Sequence, residues 1–365
     1  MINDVQIRNF KSIKSLDISC KRVNVFVGKP NVGKSNILEA LSLFGFGYYP
    51  QLDTLKSMIR MNYVQELFYR KDIKKPIYIN TDVGSLNLSF HTMDTYFLMI
   101  DPLKKLAKED FNVTYSTLNE TQKFFYQKYE KESRTPFDLT PLFITLNNNI
   151  DSNSNNFRVE VPLTFYSPIK RYSFKEFPHK PTSLFYGHSL VAPYGENIVT
   201  VLYSERELLE FFAEIFKSEY DLNLVVKSPE NVLEIQIKEG IIANAIPINL
   251  VADTLQRLMF YLTAIKSNTN STLLFEEPEN HSFPNYINLL ADNIAKSTDN
   301  QFFITTHSPY LLRTLLEETP KEDLAIFITT YKDHQTHLHN LTDTEVSELL
   351  NYNIDLFYNY EKFVE

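Results

Sequence analysis

Cysteine is nearly missing from this sequence. Cys20 stands alone among 365 residues, which excludes an internal disulfide and a thiolate metal cluster and leaves Cys20 as a buried apolar residue. The eight histidines fall at no zinc-binding spacing. Long apolar runs are missing too: no stretch approaches the roughly 20 residues of a bilayer-spanning helix. The N-terminus enters a strand-like pattern at once, so a cytoplasmic protein with no membrane partner is expected. Positive charge is also in deficit. A net charge of −9 and a pI near 5.5 exclude nucleic-acid binding through a uniformly basic surface. Tryptophan is absent and glycine occurs only eight times, so each glycine that sits in a recognisable pattern carries weight.

What is present suffices for a large core, with 43% hydrophobic residues. The 22 tyrosines and 28 phenylalanines fall mostly at apolar spacings, as core packing requires. Two basic clusters read as solvated faces: Lys56, Arg60, Arg70, Lys71, Lys74 and Lys75, then Lys170, Arg171, Lys175 and Lys180. Acidic residues Asp101, Glu109, Asp110, Asp151 and Glu160 show no spacing that would seat a metal pair, and no nuclease is expected from them.

Alternation predicts strands over 4–9 and 14–18, a short apolar run a strand over 23–27, and apolar spacing a helix over 34–44 stopped by Gly45 and Gly47. Residues 75–103 read as β structure, 118–133 as a polar stretch too short for a long coiled coil, 147–156 as a loop and 157–166 as a strand. A helix is expected over 197–217 and antiparallel strands over 222–248. The last third alternates: helix 252–266, strand 272–275, helix 286–295, strand 301–305, helix 309–316 and a last core strand 325–330. A helix-like aromatic stretch, 354–360, ends the chain.

Gly28-Lys29-Pro30-Asn31-Val32-Gly33-Lys34-Ser35 fits G-x-x-x-x-G-K-[ST] at every fixed position, between a strand and a helix. Backbone N–H groups of such a loop converge on a β-phosphate, helped by the helix N-terminus. Lys34 is expected to reach the β/γ oxygens and Ser35 to ligate Mg²⁺, which makes ATP with magnesium the expected ligand. Strand 272–275 ends in Glu276-Glu277-Pro278-Glu279, where ligands of open α/β sheets bind. Glu276 there suits the metal and Glu277 a general base on water. Strand 301–305 ends in Thr306-His307-Ser308-Pro309, with Ser308 as N-cap, Pro309 at the first helical position and His307 left to contact a γ-phosphate.

Together with Asn9-Phe10-Lys11-Ser12, these motifs resemble the ABC-type ATPase heads of the RecF/SMC/OLD group, closest to small OLD-like AAA-family ATPases with a Glu-Glu-Pro-Glu Walker B. The resemblance covers residues 1–50 and 190–345. It implies that Glu276 replaces the usual metal-binding aspartate, that Glu277 is the catalytic base and that His307 is the switch histidine. Lys11 and Asn36 complete the expected nucleotide-contacting set. The implied fold is α/β: an ABC-type P-loop core with a mixed sheet and an antiparallel β-subdomain. The expected organisation is a discontinuous core (1–92 and 190–345), a mixed α+β insert (93–189) and a C-terminal tail (346–365). The same resemblance implies two heads, or a higher oligomer, closing around ATP through a signature motif. The matching stretch, Ala252-Asp253-Thr254-Leu255-Gln256-Arg257, has alanine for the usual serine and threonine for the usual glycine. Gln51 and Gln65 are the candidates for a Q-loop glutamine.

Only about 35 residues follow the last expected core strand, too few for a further domain, so the effector is expected to be a separate protein or the insert. The leading expectation is an ATPase that controls a separately encoded nuclease or toxin in anti-phage defence or DNA processing, with DNA as a possible ligand. The alternatives are a RecF-like repair clamp and a nucleotide-binding scaffold that hydrolyses little.

Overall fold

A computed structural model describes residues 1–47, 55–56, 58–91, 95–102, 142–147, 168–177, 189–227, 232–239, 241–352 and 354–364. Strands β1 (Asp4–Phe10), β2 (Ile13–Ser19) and β3 (Val23–Val27) lead into the Gly28 loop and α1 (Lys34–Ser42). A 3-10 turn, Leu43–Gly47, continues α1 past the expected stop at Gly45. β4 (Ile77–Thr81), β5 (Gly84–Phe90), β6 (Thr95–Pro102) and β7 (Leu142–Asn147) extend β1 into an antiparallel sheet of order β2-β1-β4-β5-β6-β7. β8 (Ile169–Tyr172) instead pairs with a strand of the second sheet. The range expected as an insert, 93–189, thus contributes strands to both six-stranded sheets. The stretches 118–133 and 157–166, most of the 147–156 loop, Gln51 and Lys180 lie outside the described residues.

α2 (Ile198–Ser204) and α3 (Arg206–Tyr220) replace the single helix expected over 197–217. Glu205 breaks it, at φ −94° and ψ 76°, while its carbonyl accepts from Leu208 and Leu209 to start α3. The antiparallel reading of 222–248 holds as β9 (Asn223–Lys227), β10 (Val232–Glu239) and β11 (Ile242–Pro247).

The remaining chain alternates α4 (Asp253–Ser267), β12 (Thr272–Glu276), α5 (Pro284–Lys296), β13 (Gln301–Thr305), α6 (Pro309–Glu318) and β14 (Leu324–Lys332). β15 (Gln335–Asn340), α7 (Asp343–Asn351) and α8 (Leu356–Asn359) follow. Their sheet has order β15-β14-β3-β13-β12-β8, parallel except for β15. β15 escapes the sequence reading because Gln335-Thr336-His337-Leu338-His339-Asn340 is polar; as an edge strand it buries only Thr336 fully.

The parallel strands are covered on both faces, which is why they read as continuous apolar runs. Val23, Val25, Val27, Leu273, Phe275 and Ile304 face the core shared with α4 to α7. Phe26, Leu274, Phe303 and Phe327 face the other core, shared with α1 and the antiparallel sheet. Phe26 stacks between Phe327 (5.0 Å) and Phe303 (6.3 Å). This period of two fixes the register, since a one-residue slip would exchange the two cores.

Arg22, 7% exposed, ties the bottom of the sheet to the end of α5. Its guanidinium donates to the carbonyls of Ser297 (2.6 Å), Ala295 (2.9 Å) and Ile294 (3.3 Å), and pairs with Asp323 at 2.9 Å. The last carbonyls of a helix lack their i+4 donors; Ile294 O also accepts from the Ser297 N–H at 3.3 Å. Arg22→Met should therefore lower unfolding stability by about 2–3 kcal/mol in urea titrations, with the slope on denaturant unchanged; an unchanged midpoint would show that these bonds contribute nothing net.

Candidate functional site

β3, β13 and β12 end side by side: Thr305 pairs with Glu276 on one side and with Phe26 on the other. The three loops that leave these ends enclose a cleft of about 790 Å³. Gly33, Lys34 and Ser35 line it from the first loop, Glu276, Glu277 and Asn280 from the second, and His307 from the third.

The first loop is shaped by positive φ at Gly28 (146°), Asn31 (63°) and Gly33 (102°). Space is as restrictive as conformation. A Cβ at Gly28 would lie 2.3 Å from the Thr329 carbonyl oxygen, and one at Gly33 would lie 2.1 Å from Thr336 Oγ1. Thr336, on β15, also donates to Val32 O (2.9 Å) and sits 2.6 Å from Ser12 Oγ, which accepts from Asn36 at 2.7 Å. The edge strand thus braces the loop against the β1–β2 turn. Lys34 Nζ donates to the carbonyls of Gly28 (2.8 Å) and Lys29 (2.9 Å) across the loop. Burial holds its pKa below the usual lysine value, against the pull of Glu277 and Glu276.

Glu276 accepts from two arginines, Arg171 and Arg60, the latter at 3.0 Å. Burial pushes its pKa up, but Arg171, Ser35 and Arg60 together hold it below the ordinary glutamate value. Arg60 also bonds the fully buried Glu39 at 2.9 Å, and Lys11 pairs with that same carboxylate and donates to Arg60 O at 2.7 Å. One member of the basic clusters, Arg171, is therefore buried rather than solvated, while Arg60 stays exposed as expected. Arg171 is 6% exposed, and both arginines are aimed at the acidic strand end. Nothing in sequence spacing pairs residues 60 and 171 with residue 276, so only the fold reveals them.

Ser35 and Glu276 are hard oxygen donors that line the cleft together beside the phosphate loop. This suits magnesium, which takes one or two protein oxygens and completes its shell from water and phosphate. Among the described residues no group of three His, Cys, Asp or Glu side chains forms an all-protein metal cage.

Glu277 adopts φ 44°, in the left-handed region that a glutamate rarely enters, and its N–H donates to Thr305 O at 2.9 Å. The carboxylate is steered from both sides, by Asn280 Nδ2 at 2.8 Å and His307 Nε2 at 3.4 Å. Burial and then Lys34 lower the His307 pKa despite Glu277, so the imidazole is neutral at neutral pH. Glu279 escaped the sequence reading as a functional residue. It is 6% exposed, and Oε1 accepts from Thr306 Oγ1 (2.6 Å) and from the His307 N–H (2.8 Å). It pins the histidine loop to the acidic loop.

Other expected contacts are placed differently. Lys29 points to the C-terminal segment, 5.2 Å above the Tyr360 ring and 3.5 Å from Glu361. Pro30, Asn31 and Lys11 line the cleft, while Lys11 is turned to Glu39. Gln65 lies in a 3-10 turn, Val64–Leu67, away from the cleft lining. In the signature-like stretch Ala252 and Asp253 are exposed at the start of α4, Gln256 is buried on Asn249 O and Val251 O, and Arg257 pairs with Asp253 and packs over Phe174.

The glycine-rich loop, the paired acidic strand end and the histidine loop thus meet in one cleft, an arrangement suited to nucleotide hydrolysis. The family model described as "AAA ATPase domain" matches residues 1–312, so the chain belongs to that family and is an ATPase. It is similar to the "ATP/GTP phosphatase" of Helicobacter pylori, 24% identical over 93% of this chain and 91% of that protein. It also resembles "Uncharacterized protein MJECL10" of Methanocaldococcus jannaschii, 32% identical over 24% of this chain and 46% of that protein. Among solved structures, an Smc head bound to the C-winged helix domain of ScpA is 14% identical with a TM-score of 0.49, covering 95% of this chain and 99% of that one. The SMC head domain from Thermotoga maritima is 13% identical with a TM-score of 0.40, covering 93% and 99%. Among the described residues no helix is long and apolar enough to cross a membrane.

The Glu279 pin has a pH signature. Burial raises its pKa in the folded chain, so its stabilising contribution is complete in acid and is lost as pH rises through the folded value. Glu279→Gln keeps the Oε1 acceptor and should stay within about 1 kcal/mol of wild type near neutral pH. The wild type should gain on this variant as pH falls. Glu279→Ala strands two donors and should lose about 1–3 kcal/mol. Urea titrations at several pH values check both, and equal stability of the alanine variant would remove the pin.

Proposed function

We propose that Glu277 is the general base of ATP hydrolysis, that Lys34 and the loop amides hold the β- and γ-phosphates, and that His307 contacts the γ-phosphate. The observation that carries this reading is the shared cleft: Gly33, Lys34, Glu277 and His307 line one space. Water attacks the γ-phosphorus in line as the bond to the β–γ bridging oxygen breaks and ADP leaves, the water's proton passes to Glu277, and Asn280 keeps the carboxylate aimed. The neutral imidazole offers one N–H for a γ-oxygen, and protonation in acid would tie it to Glu277 instead. Magnesium, held by Ser35 and Glu276, would supply charge neutralisation to the phosphates when bound.

Two copies are proposed to close around ATP, as heads of the RecF/SMC/OLD group do, with the exposed start of α4 at Ala252 and Asp253 facing the partner's nucleotide. ATP-dependent closure then acts on a separate effector protein, a nuclease or toxin, in an anti-phage or DNA-processing system of OLD-like type. Similarity to the ATP/GTP phosphatase of Helicobacter pylori supports nucleotide hydrolysis over a scaffold that hydrolyses little.

Glu277→Gln should lower kcat about 10²–10⁴-fold while ATP affinity stays within a few-fold. With ATP and magnesium it should accumulate as a species of twice the mass by light scattering. Lys34→Ala should lose ATP binding and remain a single copy. Equal turnover in wild type and Glu277→Gln would refute the base, and unchanged mass in saturating ATP would refute the closure.

A further inference from the structure

Glu277, Lys34 and His307 line the cleft as the proposed triphosphate site, and the same lining includes an exposed aromatic ring. Tyr331 lies at the carboxyl end of β14, is 48% exposed and lines the same cleft as Gly33 and Ser12. Its cross-strand partner is Thr336, in the antiparallel β14–β15 ladder, and directly opposed residues share a face with Cβ atoms about 5 Å apart. Thr336 is the residue that meets Gly33 and Val32, so the ring's ladder partner is the residue braced against the phosphate loop. The alternation Ala325, Phe327, Thr329, Tyr331 puts it on the α1 side of the sheet, where the loop lies.

We propose that Tyr331 is the stacking platform for the base of the bound nucleoside triphosphate, a reading that rests on the phosphate site proposed above. With the γ-phosphate at Glu277 and the β-phosphate over the loop, the nucleoside extends past Gly33 and Ser12 onto this ring. The hydroxyls of its ladder partner Thr336 and of Ser12 in the same cleft are already engaged: Ser12 Oγ lies between Thr336 Oγ1 and Asn36 Nδ2, and Thr336 Oγ1 donates to Val32 O. The ring therefore supplies a π-face rather than a base-edge code, and every base has such a face. ATP and GTP are both substrates on this account, with affinities within a few-fold of each other.

The absence of tryptophan makes the test direct, since Tyr331→Trp introduces a single indole reporter into the full chain. ATP and GTP should quench its fluorescence on binding, and inorganic tripolyphosphate should not. By calorimetry, Tyr331→Ala should weaken ATP and GTP about tenfold or more and Tyr331→Phe about twofold or less, with tripolyphosphate affinity unchanged in both. Unchanged ATP affinity in Tyr331→Ala, with tripolyphosphate still bound, would overturn the platform and leave the phosphate site standing. Equal weakening of ATP and tripolyphosphate would also overturn it, by showing that Tyr331 acts through the loop. Loss of tripolyphosphate and ATP binding in Lys34→Ala is the separate check on the phosphate site, and its failure would remove both.

Discussion

The register of three parallel strands is the constraint on which the site depends. β3, β13 and β12 are locked by side chains that alternate between two apolar cores, so they end level, with Phe26, Thr305 and Glu276 in adjacent ladder positions. Each end releases a loop with its own chemistry: backbone amides and an ammonium, two carboxylates, an imidazole. No loop could reach the others' ligand if one strand slipped, because each residue advances about 3.3 Å and a slip also turns every side chain to the wrong core.

Around that framework, second contacts hold the loops in shapes their sequences alone would not keep. The phosphate loop is pressed from outside by Thr329 and Thr336, which leave no room for a Cβ at Gly28 or Gly33. The histidine loop hangs on the buried carboxylate of Glu279. Glu276 sits between Ser35 and two arginines, so the local charge of the acidic end is already balanced before any phosphate enters. Arg60 carries that balance on to Glu39 and Lys11 at the foot of the antiparallel sheet, which joins both sheets to one cleft electrostatically as α1 joins them by packing. The C-terminal segment, anchored by buried Leu356 and Phe363, reaches the loop at Lys29.

The motif residues were legible because their chemistry demands a fixed order along the chain. Gly28 to Ser35, Glu276-Glu277 and Thr306-His307 each follow a continuous apolar run, and the end of that run marks where each stands. The α/β class and the antiparallel β portion were legible from apolar periodicity. Arg60 and Arg171 were not, because their partner lies 216 and 105 positions away and only tertiary structure sets that pairing. Glu279 was quoted as part of a motif, but its burial and its two donors depend on how the turn after β12 folds back on β13. β15 was missed because an edge strand needs little apolar surface, and α2–α3 was read as one helix because the break at Glu205 changes backbone angles without a proline or glycine to announce it.

The most direct test of the account is a crystal structure of the full chain with magnesium and a non-hydrolysable ATP analogue. The account predicts β-phosphate oxygens on the backbone N–H groups of Gly33 and Lys34, and a water between the γ-phosphorus and the Glu277 carboxylate. A nucleotide bound elsewhere, or one in this cleft with Glu277 turned away from the γ-phosphate, would contradict it.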